Sequence, residues 1–388
     1  MSLVSLVSLA CSPTPGDGAA PPKGPASAQA AGPERGEDGE ARATPSAATP
    51  APEVIAPAAL VTCPPEHEHG CSILVRAPVT GGEAELLYYE SGRPGPVSVD
   101  DREILYVGSI TFSALVGLPI AASGPDARRD AMRLVDWGGG RIQALARRGD
   151  DLLIAEESAV ILASTTGAAP RKLAEESAYF AAIGGGWALW PIDRGGASQT
   201  GAIRGVRLED AGAKPVTIID DEARPQDLAA DADALYWLNW GEGTAARPGA
   251  VRRLAWGAAR PETLAVKQLY PRCVTIDEAS VYWVVAGEEG RALRAVAKAG
   301  GEVRELIPET GTSWTRGNRD RVVAEGGWVL FNSAEAIWRV RADGTDAARV
   351  LTFAAGIDGD FVDFDVEGGD VYVGARIYDP HEHRRMRP

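Results

Sequence analysis

The chain has 388 residues, with 54 acidic against 39 basic side chains and a formal net charge of −15. This balance argues against nucleic acid or an anionic lipid surface as the main partner, because both require a positive field. Four cysteines and four histidines limit thiol, metal and imidazole chemistry, and no apolar run reaches the about 18 residues needed to cross a bilayer.

The first eleven residues, MSLVSLVSLAC, form an apolar stretch that ends at Cys11. With Ala10 before that cysteine, residues 1–11 resemble the end of a bacterial lipoprotein signal peptide, which implies export and lipidation of Cys11. The expected location is the outer membrane, facing the periplasm or the cell surface, with the lipid as the only membrane contact. The alternative is an apolar N-terminus on a cytoplasmic protein.

Residues 12–60 are rich in Ala, Pro, Gly and Ser and lack apolar periodicity, so they are predicted to be a disordered linker. Cys63 and Cys71 then flank the stretch CPPEHEHGC. Their spacing around a Pro-Pro turn predicts a disulfide, which suits an oxidising compartment; a zinc site that uses both thiols is the alternative. Cys273 lies inside an apolar run and is predicted to be a buried, unreactive thiol.

A unit that occurs twice between Gln226 and Ile307 indicates the architecture. One copy contains DLAADADALYWLNW and the other CVTIDEASVYWVVA. Each has an apolar run ending in an acid, a β-rich run, a third run with alternating basic residues and a short fourth run. Four short strands joined by tight turns cannot bury both faces alone, so units of this kind stack as blades.

The apolar or aromatic pair of the second strand recurs along the chain at intervals of 36 to 48 residues. Seven such pairs predict an all-β fold, a seven-bladed β-propeller of four-stranded antiparallel blades over residues 61–388. The pairs are Leu105-Tyr106, Leu153-Ile154, Leu189-Trp190, Tyr236-Trp237, Tyr282-Trp283, Leu330-Phe331 and Tyr372-Val373.

The last blade is incomplete at the C-terminus, because too few residues follow Tyr372 to form a third and a fourth strand. Residues 72–89 match residues 293–307, and both stretches contain a Gly-Gly turn. We therefore predict that residues 72–89 complete the blade that begins with residues 361–377. This closure leaves no open edge between the first and last blades.

The unit of acid, turn and (Leu/Val)-Tyr-Trp, followed by a basic third strand, resembles the YWTD- and NHL-type seven-bladed propellers. It is more closely similar to the propeller lipoproteins that some Gram-negative bacteria export. The resemblance covers about residues 66–388 and implies a binding or scaffold module for a protein, peptide or glycan of the cell envelope; we expect a monomer. The alternative is a carboxylate-based or metal-dependent envelope hydrolase or lyase, although no histidine lies between residues 70 and 380 to serve as a central base.

Residues that recur once per blade are assigned to packing rather than to a ligand. The acids that end the first strands are expected to accept hydrogen bonds from turn amides, and Trp190, Trp237 and Trp283 are expected to pack between blades. The run Asp220-Asp221-Glu222 is expected to be a solvated loop. The strand-ending acids are Asp100, Asp150, Asp231, Asp277, Glu325 and Glu367.

The loops between second and third strands share one face of a propeller with the connections between blades, and ligands usually bind at that face. Three long loops are predicted there, over residues 193–200, 240–248 and 308–319. The aromatic and cationic side chains that they carry predict a ligand-binding face; the alternative is that these loops are only variable in sequence. The predicted residues are Trp240, Arg247, Trp314 and Arg316.

All four histidines occur in two His-Glu-His triplets, His67-Glu68-His69 and His381-Glu382-His383. The predicted closure brings the two triplets to the same face of one blade. Histidines at i and i+2 project to one side of a strand, so the triplets are candidate ligands of a zinc-like divalent metal. Asp358 or Asp360 is the candidate carboxylate ligand; the alternative is that the second triplet belongs to a disordered basic tail.

Overall fold

The computed structural model describes residues 58–59, 70–90, 94–108, 114–121, 132–136, 141–193, 200–241, 248–286, 291–308, 320–333, 336–353, 357 and 359–378. Within these ranges every regular element is a β-strand, 29 in all, and the strands form seven sheets. The all-β, seven-bladed propeller predicted from the sequence is thus confirmed. The linker prediction for residues 12–60 falls almost entirely outside the described residues.

The first three strands belong to the last two blades, because the chain begins by closing the ring. They are β1 (Ala58–Ala59), β2 (Gly70–Pro78) and β3 (Glu85–Glu90). Blade one follows with β4 (Val97–Val99), β5 (Glu103–Gly108), β6 (Ala114–Pro119) and β7 (Met132–Asp136). Blade two has β8 (Ile142–Arg148), β9 (Asp151–Glu156), β10 (Val160–Ser164) and β11 (Arg171–Ala174).

The next three blades are contiguous in sequence. Blade three has β12 (Ala182–Gly184), β13 (Trp187–Asp193), β14 (Gly201–Arg207) and β15 (Val216–Glu222). Blade four has β16 (Pro225–Ala230), β17 (Ala234–Asn239), β18 (Gly249–Ala255) and β19 (Glu262–Gln268). Blade five has β20 (Pro271–Ile276), β21 (Ser280–Ala286), β22 (Arg291–Ala297) and β23 (Arg304–Ile307).

The last two blades recruit the N-terminal strands. Blade six has β24 (Val322–Glu325), β25 (Trp328–Asn332), β26 (Ala336–Arg341) and β27 (Ala348–Thr352), and β1 pairs in parallel with the outer edge of β27. Blade seven consists of β28 (Gly359–Glu367) and β29 (Asp370–Tyr378), followed in the sheet by β2 and β3. The predicted closure by residues 72–89 is therefore confirmed.

The core lies between the blades rather than inside any one of them. Trp283 of β21 packs in a buried cluster with Val251 of β18 in the preceding blade. Tyr372 of β29 packs with Tyr106 of β5, which joins the last blade to the first. Each blade therefore buries its faces only by stacking on its neighbours, as the repeat pattern predicted.

The three second-strand tryptophans have a structural role that repeats from blade to blade. The indole N–H of Trp190 donates to Glu176 (2.7 Å), that of Trp237 to Glu222 (3.3 Å) and that of Trp283 to Gln268 (3.1 Å). An arginine of the third strand contacts the same acceptor each time: Arg204, Arg252 and Arg294. These contacts support the assignment of the three tryptophans to packing between blades. The expectation that Glu222 is a solvated loop residue is wrong. Glu222 is buried, because it binds Trp237 and Arg252.

Two of the strand-ending acids, Asp231 and Asp277, close the turns between first and second strands. Asp231 accepts hydrogen bonds from the amides of Asp233 and Ala234, both at 2.8 Å. Asp277 accepts the equivalent pair from Ala279 and Ser280. These two acids therefore stabilise the turns, as predicted.

Candidate binding site on the loop face

The loop face is the end of the propeller at which first and third strands begin and second and fourth strands end. Of the predicted ligand-binding residues, Trp240 is described and lies on this face directly after β17. Arg247, Trp314 and Arg316 lie outside the described residues. Their role in ligand binding therefore stays a prediction.

Trp240 is half-buried in a group of side chains from neighbouring blades. The guanidinium carbon of Arg224 lies 4.4 Å from the centre of its ring, and that of Arg272 lies 5.7 Å away. The ring of Tyr270 is 5.6 Å distant and tilted by 59°. The backbone N–H of Trp240 donates to the carbonyl of Arg224 at 3.1 Å, which fixes the start of the loop against the preceding blade connection.

Two of these side chains belong to residues that share an unusual backbone conformation. Arg224 and Tyr270 each precede the proline that begins a first strand, Pro225 of β16 and Pro271 of β20. Both adopt left-handed backbone angles, with φ of 53° and 42°. A non-glycine residue is strained in this region, and strain of this kind concentrates at functional sites. Both residues with this conformation contact Trp240.

A buried ion pair lies next to Trp240. One guanidinium nitrogen of Arg291 is 2.6 Å from Oδ1 of Asp320, and one of Arg272 is 3.5 Å from Oδ2 of the same carboxylate. Burial holds the pKa of the Arg272 guanidinium below its ordinary value, and the nearby charge of Arg291 lowers this pKa further, although Asp320 opposes both effects. We call the whole group the arginine–aromatic cluster: Arg224, Trp240, Tyr270, Arg272, Arg291 and Asp320.

Sequence reasoning found one member of this cluster and missed five. The loop composition pointed to Trp240, whereas nothing in the sequence pattern singled out Arg272 or Arg291. A signal was present at Arg224-Pro225 and Tyr270-Pro271, where the same dipeptide position opens two successive blades. That pattern shows where the chain turns, but it does not show that the two turns face one tryptophan.

A second set of charged residues lies at the first strands, around the centre of the ring. Asp227 accepts hydrogen bonds from the amides of Leu228 (2.9 Å) and of Val274 in the next blade (2.8 Å). Asp363 does the same with the amides of Phe364 and of Val97 in blade one, both at 2.9 Å. These two buried carboxylates therefore join blade four to blade five and blade seven to blade one.

Asp365 makes a third junction of this type, with the amides of Val366 and Val99, both at 3.0 Å. Arg321 lies beside these acids, with Nε 3.4 Å from Asp363 and 3.0 Å from the carbonyl of Phe364. Burial raises the pKa of Asp227 to about 8 and that of Asp365 to about 7. Carboxylates with raised pKa values converge here, but each has backbone partners, so this arrangement does not favour the hydrolase or lyase alternative.

The candidate metal ligands are described only in part. His67, His69, His381, His383 and Asp358 lie outside the described residues, while Asp360 accepts a hydrogen bond from the hydroxyl of Tyr378. The pairing of β2 with β29 places Gly70 opposite Tyr378. Gly70 directly follows the first triplet and Tyr378 is the last described residue before the second, so the described residues that flank the triplets are side by side. In the part of the chain that the structure covers, no group of three or more metal-binding side chains occurs.

The cysteines are likewise described in part. Cys11 and Cys63 lie outside the described residues, so lipidation of Cys11 and the pairing of Cys63 with Cys71 stay predictions. Cys273 is fully buried, as predicted, but neither it nor Cys71 is a free thiol, so the expectation of an unreactive free thiol at Cys273 is wrong. The described segments also contain no helix that could cross a membrane.

Comparison with known proteins identifies the fold and no family: no family model matches the sequence, and no curated protein matches it. The chain is similar to the extracellular domain of a candidate one-component system from B. thetaiotaomicron, with 8% identity over 74% of this chain and 38% of that one, and a TM-score of 0.52. A functionally unknown protein from Desulfotomaculum acetoxidans shows 11% identity over 73% and 95%, with a TM-score of 0.50.

A structure of the nidogen/laminin complex matches at 14% identity, over 73% of this chain and 93% of that one, with a TM-score of 0.46. Identities this low support a likeness of fold alone. The function therefore has to be argued from the site.

Proposed function

We propose that this protein is an exported, lipid-anchored propeller that acts as a binding or scaffold module for a protein or peptide of the cell envelope. Docking takes place on the loop face over blades four to six. The single observation that carries this proposal is the arginine–aromatic cluster, which combines Trp, Tyr and Arg side chains, the residue types that dominate binding energy at protein interfaces.

The two faces of the propeller differ in why their tryptophans contact arginines. On the opposite face, Trp187 stacks with Arg207 at 4.2 Å, and these residues are direct cross-strand neighbours in blade three. Strand register alone explains that contact. Trp240 contacts Arg224, which lies opposite it in the continuation of the β16–β17 pairing, but it also contacts Arg272 of β20 in the next blade, a strand that does not pair with β17. The contact with Arg272 is therefore not required by the pairing of any one blade, which favours a role in recognition.

The docking proposal is tested by cross-linking the purified protein to an envelope extract. We expect a cross-linked partner with the wild-type protein, loss of that partner with Trp240→Ala, and its retention with Trp187→Ala. The control removes the same kind of Arg–Trp stack from the opposite face. Equal cross-linking by both variants, or no partner with the wild type, would refute docking at the loop face.

The proposed lipid anchor and membrane location are tested separately. Cys11→Ser is expected to release the protein from membranes into a soluble fraction, because the apolar stretch before Cys11 is the only feature of the sequence that indicates a lipid anchor. The measurement is fractionation followed by mass spectrometry of the mature N-terminus. An unmodified Cys11 on membrane-bound protein would contradict the lipid anchor without affecting the docking proposal.

A further inference from the structure

We infer that side chains of the first strands plug the centre of the propeller, so that the loop-face partner docks on the surface of the ring and inserts no segment into its centre. The way of docking rests on the proposed function, whereas the plug does not. First strands lie innermost in the blades and follow one another around the ring, so their side chains decide whether a central channel is open.

One position of the first strand is buried in each of blades three to seven. It lies four residues before the residue that begins the turn into the second strand, as Asp227 lies four residues before Asp231. None of these five side chains has more than 7% of its surface exposed. We call them the inner ring: Phe180, Asp227, Cys273, Arg321 and Asp363.

Members of the inner ring bind the backbone of the next blade at one equivalent place. Asp227 accepts a hydrogen bond from the amide of Val274 at 2.8 Å. Nε of Arg321 donates to the carbonyl of Phe364 at 3.0 Å. Val274 and Phe364 each directly follow the inner-ring residue of their own blade. The inner ring is therefore one level of the fold that repeats from blade to blade.

Phe180 reaches across the centre at this level. It belongs to the connection that enters blade three, yet it packs in the buried cluster of blades five and six, which includes Cys273 and Val322. The first strands lie side by side around the ring, with β16 of blade four between β12 and β20. A side chain of blade three can thus contact blades five and six only over the centre of the ring. Phe180 therefore occupies that centre.

The charged members of the inner ring also act on one another across the centre. Burial is the main influence on the pKa of Asp227 and raises it to about 8, while Arg321 lowers this pKa and Asp363 raises it. The influence of one charge on another weakens with distance. Blade four is adjacent to neither blade six nor blade seven, so these three side chains approach one another at the centre.

The plug determines how a partner can bind. First strands begin at the loop face, and Phe180 directly precedes the first strand of blade three, so the centre is closed at the end where docking is proposed. A partner that contacts Trp240 therefore meets a closed surface. Asp227 and Asp363 become accessible only when Phe180 is displaced.

The test labels the carboxylates of the full-length protein with a water-soluble carbodiimide and glycine ethyl ester, and mass spectrometry locates the label. We expect slow labelling of Asp227 and Asp363 in the wild type. In Phe180→Ala both should react at least about tenfold faster, because loss of a buried aromatic ring leaves a cavity and eases opening. Phe331→Ala is the matched control: Phe331 is buried in the same cluster but lies in a second strand.

Labelling of Asp227 in the wild type as fast as that of the exposed Asp101 would overturn the plug. Equal labelling in Phe180→Ala and Phe331→Ala, both with wild-type circular dichroism, would overturn it as well. If Phe180→Ala does not fold, Phe180→Val takes its place, because it removes less of the side chain. Phe180→Leu should keep the slow labelling, since it fills most of the same space.

The way of docking is tested with the same variants in the cross-linking experiment. We expect Phe180→Ala to retain the partner that Trp240→Ala loses. Loss of the partner with Phe180→Ala, but not with Phe331→Ala, would show that the partner reaches the centre and would overturn this part of the inference. Absence of a partner with the wild type would refute the proposed function, while the labelling result would still decide whether the plug exists.

Discussion

Blade five and blade seven contain the same four strands, but only in blade five are they contiguous in sequence. The pair β21–β22 of blade five has seven residue pairs and is joined by a short loop. The equivalent pair in blade seven, β29–β2, joins opposite ends of the chain through nine residue pairs, from Gly70↔Tyr378 to Pro78↔Asp370. In blade seven the nine residue pairs fix the register of β29 and β2, whereas in blade five the connecting loop helps to fix the register of β21 and β22.

The contacts between blades also differ between the junction of blades four and five and the junction of blades seven and one. Asp227 bridges the first strand of blade four to that of blade five. Two acids, Asp363 and Asp365, bridge blade seven to blade one, and Arg321 lies against Asp363. Among the described residues, the junction that closes the ring thus has two such bridging acids.

The largest expected effect follows from removing the N-terminal half of blade seven. A variant that begins at Val97 lacks β2 and β3, so β29 becomes an open edge, and we expect cooperative unfolding to be lost. A variant that begins at Val61 loses only β1, which has two residue pairs, and should stay within about 1 kcal/mol of the full-length protein. Denaturant unfolding measures both. Equal stability of the two variants would refute the closure.

The second effect compares the two kinds of junction. Asp363→Ala leaves two backbone amides without their acceptor and removes a buried partner of Arg321, which is expected to cost about 3–5 kcal/mol. Asp227→Ala leaves two amides unsatisfied and is expected to cost about 1–3 kcal/mol. Urea unfolding with Asp363→Asn as a control separates charge from hydrogen bonding. A larger loss for Asp227→Ala than for Asp363→Ala would contradict the proposed difference between the junctions.

The third effect is a dependence of stability on pH that concentrates near blade seven. Burial raises the pKa of Glu325, which accepts a hydrogen bond from Gly368 of blade seven, to about 8, and it raises those of Asp365 and Asp227 to about 7 and about 8. Unfolded Asp and Glu titrate near about 4. Between pH 4 and 8 the folded state thus binds more protons than the unfolded state, and stability falls as the pH rises.

We therefore expect a higher melting temperature at pH 5 than at pH 8. Exposed acids with lowered pKa values, such as Asp150, act in the opposite direction, but solvent screens them. Asp365→Asn and Asp227→Asn should each flatten the slope, because the neutral amide does not titrate. A melting temperature that rises from pH 5 to pH 8 would show that these buried acids do not control the pH dependence.

The smallest effect is metal binding at the open end of blade seven. His69 directly precedes Gly70 and His381 follows three residues after Tyr378, and Gly70 and Tyr378 are paired. We expect zinc to bind with a Kd of about 10 μM or tighter, and to lose that affinity when His381 and His383 become Ala. Calorimetric titration of metal-free protein measures this. Weaker binding, or binding that the two substitutions leave unchanged, would end the metal hypothesis.

The sequence by itself determined the number of blades, the position of every second strand and the closure of the ring. These features are local: alternating apolar residues, turn-closing acids such as Asp231 and Asp277, and Gly-Gly turns act within a few residues of one another. Even the closure was readable, because residues 72–89 repeat a pattern that is also present at residues 293–307.

Only the tertiary structure decided which charged residues are buried and which side chains meet. Glu222 belongs to an acidic run that is typical of a loop, yet the neighbouring Trp237 and Arg252 bury it. Arg224 lies opposite Trp240 within blade four, but Arg272 reaches Trp240 only because blades four and five pack side by side, and no periodicity within a single blade encodes that meeting. Burial and convergence depend on how the blades stack, and sequence pattern specifies each blade more directly than it specifies the contacts between blades.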